Sequence, residues 1–287
     1  LSVMLVPRAS VSANRIVEVL NTEVSIRNPE QPKRPPEDRK GEVEFSHVSF
    51  SYPGAEEEVL HDITFTAKKG ETVAFIGSTG SGKSTLVNLI PRFFDVSEGV
   101  IRVDGVDIRE MDIRDLRSRL GYVPQKGILF SGTIASNLRF GAEDASMEEL
   151  NQAADIAQAS EFIAQKEDGM ESPIAQGGTN VSGGQKQRLS IARAVAKHPE
   201  IYILTTVFPR WIYKTDAALR QALKRETSEA TTLIVAQRIS TILHADKIMV
   251  LDNGAVAGCG THKELMESCE VYRQIARSQL SEEELKA

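Results

Sequence analysis

The sequence predicts an α/β domain built on a largely parallel sheet. Three observations carry that expectation. Short apolar runs recur between longer segments of helical spacing, a glycine-rich turn joins one such run to a helix, and a proline-rich stretch sets the chain's first residues apart. The 287 residues carry a formal net charge of −6, with 41% hydrophobic and 26% charged residues. That composition suits a folded globular chain and argues against wholesale disorder. The acidic balance also argues against a general nucleic-acid partner. Two cysteines, Cys259 and Cys269, make neither a disulfide framework nor a zinc site. No run of about 18 apolar residues offers a bilayer span, and Leu1–Val6 lacks the basic region of a signal peptide. Without an initiator methionine, the chain is expected to be part of something longer.

Taken in order, residues 8–20 place Val11, Ile16, Val17 and Leu20 on one side of a helix. Residues 28–40 hold four of the eleven prolines and many charges, which resists helix and strand and predicts an extended linker. A folded unit is expected from Gly41 onward. Val43–Phe50 alternates as a half-exposed strand, and Val59–Ala67 can pair with it. Thr72–Ile76 is a short apolar run of the kind that fills a buried parallel strand. Helical spacing follows at Lys83–Phe94 and from Ser146 to Phe162. Ile201–Leu204, Thr232–Val235 and Ile248–Leu251 are further buried-strand candidates.

The sharpest chemical signal is the run Gly77, Ser78, Thr79, Gly80, Ser81, Gly82, Lys83, Ser84, Thr85. It matches G-x-x-x-x-G-K-[ST] and falls between an expected strand and an expected helix. Glycines let backbone N–H groups turn inward around phosphate oxygens, and the helix start adds the positive end of its dipole. Lys83 is placed to reach β- and γ-phosphates, and the Ser84 hydroxyl to hold Mg²⁺.

About a hundred residues later comes Val181-Ser182-Gly183-Gly184-Gln185, followed by KQRLSIARAVAKHPEIYIL. By itself this is a flexible turn before a helix. With the phosphate loop upstream and an apolar strand just after, it resembles the signature of ATP-binding cassette (ABC) proteins, and the resemblance runs through residues 41–287. It implies a P-loop NTPase fold: a parallel-sheet core, an antiparallel β portion at about 41–70 and a helical insert at about 135–190 carrying the signature. It further implies ATP and Mg²⁺ as ligands, Tyr52 stacking on adenine, and Gln125 reaching Mg²⁺ and the attacking water. The stretch KGILFSGTIASNL and the loop Gln176-Gly177-Gly178 are similar to the family's surfaces facing a membrane domain. In the family two cassettes pack head to tail, so Ser182 to Gln185 would cap the γ-phosphate held by a partner. Residues 1–27 resemble the cytoplasmic end of a half-transporter's last transmembrane helix; the alternative is an amphipathic helix packed on the domain.

The pattern breaks after Ile201–Leu204. There the family places an Mg²⁺-ordering aspartate, a water-activating glutamate and a loop ending in S-A-L-D; this chain has Thr205, Thr206, Val207 and onward to Ile212. A threonine hydroxyl is no general base near neutrality and a poor replacement for a carboxylate on Mg²⁺. A compensated frameshift accounts for every position. If 204–212 are encoded TTG ACG ACA GTT TTT CCG CGC TGG ATT, one T placed in front makes the same bases read F-D-D-S-F-S-A-L-D. A T lost from one run and gained in another gives the observed residues; the alternative is a diverged pseudo-site. A second departure is Gln237, in LIVAQRIST, where the family has a histidine on the γ-phosphate.

Together these features resemble the degenerate half of a bacterial heterodimeric multidrug-type exporter. The resemblance implies ATP binding with weak or absent hydrolysis at its own site, a second cassette and a transmembrane domain as partners, and a place at the cytoplasmic face of the membrane. Two other classes stand beside it. One is a catalytically dead, nucleotide-gated half; the other is a soluble ABC ATPase acting on DNA or ribosomes.

Overall fold

In the computed structural model, residues 2–205, 221, 222, 225 and 228–280 are described. The expected strand Val43–Phe50 forms with those bounds as β1. Its buried residues Val43, Phe45, Val48 and Phe50 switch from odd to even numbers. The backbone absorbs the switch at a bulge, where the register slips between Phe45 and Val48 and His47 takes a φ of 48°. All four apolar side chains thus stay on one face despite the broken period. β1 pairs antiparallel with β2 (Leu60–Ala67) and with β4 (Glu98–Val103), and β4 carries the short β5 (Val106–Asp107). The antiparallel portion therefore extends to residue 107, beyond the expected 41–70.

The second sheet has the order β12-β11-β3-β10-β9-β6. Its strands are β3 (Thr72–Gly77), β6 (Leu120–Val123), β9 (Ile201–Leu204), β10 (Thr231–Val235), β11 (Lys247–Asp252) and β12 (Ala255–Gly260). All pair in parallel except β12, which runs antiparallel to β11. The expectation of a largely parallel sheet is met. β3 lies inside it with both faces covered, as its unbroken apolar run requires. Val73 and Phe75 face the antiparallel sheet, where the Phe65 and Phe75 rings meet edge to face at 5.3 Å. Ala74 and Ile76 face the C-terminal helices α8 (His262–Ser268) and α9 (Glu270–Gln279), packing with Leu265 and Tyr272.

A separate hydrophobic cluster gathers α4 (Ile134–Leu138), α5 (Met147–Ile156), α6 (Ser160–Ala164) and α7 (Gly183–Ala196). Between 83 and 118 lie α2 (Lys83–Asn88) and α3 (Ile113–Ser118). Two expected helices are shorter than their spacing suggested. The one starting at Lys83 ends at Asn88 and tightens into i→i−3 turns at Leu89 and Ile90, just before Pro91, whose ring cannot continue a helix. The Ser146–Phe162 segment is interrupted where Gln158 adopts a φ of 55°.

α1 (Ser2–Leu20) forms as expected, but from Val6 to Leu20 no side chain is buried. Ile16 and Leu20 are 60% and 76% exposed, so the alternative of a helix packed on the domain is not what the structure shows. Among the described residues no helix is long and apolar enough to cross a membrane. Residues 28–40 carry neither helix nor strand yet are fastened down. Arg92 donates to the Arg27 carbonyl at 2.9 Å, Asn28 Oδ1 accepts from the Ile113 N–H at 2.8 Å, and Lys33 pairs with Glu110 at 2.8 Å. Pro35 is buried.

Where β1, β9 and β10 begin, Arg119 bridges Asp104 at 3.1 Å and Glu200 at 3.3 Å. Burial, together with the neighbouring Asp104 carboxylate, pushes the Glu200 carboxyl up to about 7. A carboxyl whose folded value lies above its unfolded 4.5 adds stability that is complete below 4.5 and lost as pH rises through about 7. The thermal midpoint should accordingly fall between about pH 5 and about pH 8.5, and Glu200→Gln should remove most of that slope when followed by calorimetry.

Candidate functional site

The parallel strands deliver their loops to one edge. β3 runs into the glycine-rich turn, β10 into Gln237, β9 into Thr205 and β6 into Gln125; these four strands are adjacent in the sheet. Sequence positions spread over 160 residues are thereby gathered beyond the C-terminal strand ends, where open α/β sheets place ligands.

The turn is built tightly around Gly77. A Cβ there would lie 2.2 Å from the Leu251 carbonyl oxygen and 2.6 Å from Ser81 Oγ, so only glycine lets β3 pass this close to β11 and close the loop. Lys83, the first residue of α2, is 8% exposed and curls back over the turn. Its Nζ donates to the Gly77 carbonyl at 2.7 Å, to the Ser78 carbonyl at 2.8 Å and to Ser81 Oγ at 3.3 Å. All three acceptors are neutral. Burial holds the ammonium below its usual range, and no carboxylate among the described residues pairs with it. A sequestered cation without a counter-charge is a standing site for an anion. Ser84, beside it, is exposed, so its hydroxyl is free to face a bound group.

Tyr52 is 36% exposed and leaves β1 toward the same turn. Its hydroxyl shares a hydrogen bond of 2.8 Å with Thr85 Oγ1, and its ring packs edge-on against Phe50 and Phe94. The ring is thus fixed in orientation and open on its outer side, as a stacking platform must be. Gln125 and Gln237 are both exposed. Thr205 is buried, with both its N–H (2.9 Å) and its hydroxyl (3.0 Å) donating to the Val123 carbonyl. Its hydroxyl is thus committed to the sheet end rather than offered to a ligand. Thr206 and the residues through Ile212 lie outside the described residues. Among those described, no cluster of His, Cys, Asp and Glu is arranged to hold a metal by itself.

The second candidate group sits elsewhere. Ser182 caps α7 in a reciprocal box: its Oγ accepts from the Gln185 N–H at 3.2 Å, and the Gln185 side chain accepts from the Ser182 N–H at 3.0 Å. The helix it starts packs on α4 and α5, away from the elements that build the glycine-rich turn. Gly183 is exposed, and a Cβ on it would meet nothing within 4 Å. Nothing in this chain therefore demands a glycine at that position. Near it lies an exposed aromatic patch. Phe130 and Phe140 pack at 4.7 Å, with the Arg193 guanidinium 5.5 and 5.7 Å from their ring centres.

Two structural participants escaped the sequence reasoning. Tyr122 donates to Asn88 Oδ1 at 2.7 Å, linking the end of α2 to β6 beside Thr205; no sequence period signals that pair. The other is the β11–β12 hairpin. Asn253 and Gly254 form its two-residue turn with φ of 46° and 78°, and the Gly254 N–H donates to the Ser81 carbonyl at 3.1 Å. Asn-Gly between two strand-like runs is the signal that finds such turns.

Comparison with known proteins agrees with this geometry. The family described as ABC transporter matches residues 60–205. An uncharacterized ABC transporter ATP-binding protein of Mycobacterium bovis is 45% identical over 97% of this chain and 48% of its own length. A putative multidrug export ATP-binding/permease protein of Bacillus subtilis is 44% identical over 82% of this chain and 41% of its own length. Among solved structures, a bacterial Atm1-family ABC exporter with ATP bound superposes with a TM-score of 0.88 and 32% identity, over 96% of this chain and 48% of that one. The chain spans about half the length of these relatives.

The hairpin makes a stability prediction. A Cβ on Gly254 would stand 2.1 Å from the Val59 carbonyl oxygen, at a positive φ besides. Gly254→Val should destabilise the fold by about 3 kcal/mol, read as a lowered urea midpoint with unchanged slope.

Proposed function

The chain belongs to the ABC transporter family, and from that premise we propose that it is the ATP-binding half of an exporter subunit. The observation that carries the reading is Lys83, buried among three neutral oxygens at the mouth of the glycine-rich turn. A triphosphate supplies the charge this ammonium lacks, and the turn's N–H groups complete its coordination. Ser84 and Gln125 would hold Mg²⁺, which when bound neutralises developing charge on the transferred phosphate. Tyr52, locked by Thr85, orients the base. Residues 41–287 form the cassette in this reading and about 135–190 its helical insert. Residues 28–40 serve as linker, and 1–27 as the end of a transmembrane helix.

The signature acts on a partner's nucleotide. Support comes from Gly183, which this chain leaves open on all sides, and from the exposed start of α7. The partner is a second cassette packed head to tail, in a heterodimer in which this chain holds the degenerate site. The aromatic patch of Phe130 and Phe140 and the exposed helix α1 suit contact with a membrane domain, which places the chain at the cytoplasmic face of the membrane.

At its own site the chain binds ATP and turns it over weakly or not at all. Thr205, spent on the Val123 carbonyl, neither holds Mg²⁺ nor accepts a proton from water. The segment 204–212 is the product of a compensated frameshift, and even its restored form places an aspartate, with its shorter arm, at position 206. Gln237 hydrogen-bonds the γ-phosphate without carrying a proton charge.

Titration calorimetry with Mg-ATP should give a saturable heat, and Lys83→Met should weaken binding by at least about 100-fold. Its unliganded melting temperature should not fall, since a buried charge is removed. No heat at millimolar nucleotide would end this reading. For the segment, gene resequencing with an intact-mass measurement is expected to return F-D-D-S-F-S-A-L-D. A mass and gene that both match threonine at 205 and 206, with no run of T gained or lost, would establish a diverged site instead.

A further inference from the structure

We propose that Gln279, on the last turn of α9, is a positioning residue for the loop that carries Gln237, and so sets how strongly the site distinguishes ATP from ADP. The inference rests on the reading that Gln237 meets the γ-phosphate. It comes from one side chain that grips the loop at two backbone points. Gln279 Nε2 donates to the Gln237 carbonyl at 2.9 Å, and Gln279 Oε1 accepts from the Ile239 N–H at 2.9 Å. Both arms of one amide are therefore committed to residues forty positions away, bracketing Arg238.

The loop needs such a brace. It leaves β10 after Val235, and Ala236 is still tied to β3 through its N–H on the Phe75 carbonyl at 3.0 Å. From Gln237 to Ile239 the chain has passed the sheet, and the 3₁₀ turn at Ile239–Thr241 has no side-chain cap of its own. The Ile239 N–H is satisfied by Gln279 instead. α9 is well placed to hold the loop still. Tyr272, Ala276 and Leu280 on its inner face are buried in the same cluster as Ala236, Ile239 and Ile242. Its position is thus set by the core, and Gln279 passes that fixed position on to the loop. With the Gln237 backbone anchored, its exposed side chain searches less space beside the glycine-rich turn, and less conformational entropy is lost when it meets a third phosphate. ADP offers nothing at that place and gains nothing from the brace.

The test compares Mg-ATP and Mg-ADP affinities of the full chain by calorimetry, alongside the melting temperature without nucleotide. Gln279→Leu keeps the volume and removes both bonds; it should weaken ATP about three- to tenfold and leave ADP unchanged, with the unliganded melting temperature held. Gln279→Glu keeps the acceptor for Ile239 but faces the Gln237 carbonyl with a carboxylate, and should lose the ATP preference equally. In Gln237→Ala the preference should already be gone, and adding Gln279→Leu should cost nothing more. Equal losses for ATP and ADP, no loss at all, or additive losses in the double variant would overturn the proposal. A wild-type chain that binds ATP and ADP equally would instead remove the reading of Gln237, and this inference with it. A wild-type preference untouched by Gln279→Leu removes this inference alone.

Discussion

The arrangement turns on a positive charge withdrawn from water without an acid to meet it. Lys83 is held by two carbonyl oxygens and a serine hydroxyl, which satisfy its hydrogen bonds and leave its charge uncompensated. Such a group weakens the empty protein and is tolerated because the site it creates is selective for anions. Around it the architecture is a set of supports. β3 lies between β10 and β11, and the turn after it touches Leu251 on one flank and Gly254 at its tip. The side chains that join it at the strand ends arrive on neighbouring parallel strands, so their spacing follows from the sheet itself.

Two kinds of glycine separate fold from function. Gly77 and Gly254 face backbone oxygens at distances that no side chain permits, so this chain alone explains them. Gly183 faces empty space. A residue type that its own chain does not require is informative in a way that a packed one is not, because its reason lies outside the molecule.

Much of the fold was legible in the sequence, for physical reasons that differ by element. β1 and β9 were found to their end residues because one is an alternating run and the other a short apolar run, each bounded by turn formers. The helix at Lys83 was overread: its apolar spacing continues to Phe94, but Pro91 and the left-handed Arg92 close it early. The Ser146–Phe162 helix broke at Gln158, a residue with no reputation as a breaker. β12 was missed, although Asn253-Gly254 marks the turn before it. In the site, the glycine-rich turn and the capped signature were readable because each is a local pattern. Tyr122 with Asn88, and Gln279 with Gln237, were not, since pairs so distant in sequence obey no period and exist only once the sheet has formed.

The strap from Arg27 to Pro35 has a practical bearing on where this chain can be cut. The Arg92 guanidinium, 6% exposed, rests on Asp95 and on the Arg27 carbonyl, while Asn28 and Lys33 tend the stretch before α3. An expression boundary placed ahead of residue 27 keeps those clasps, whereas one at Gly41 discards them, uncovers the seat of Pro35 and strands a sunken arginine at the foot of the nucleotide helix.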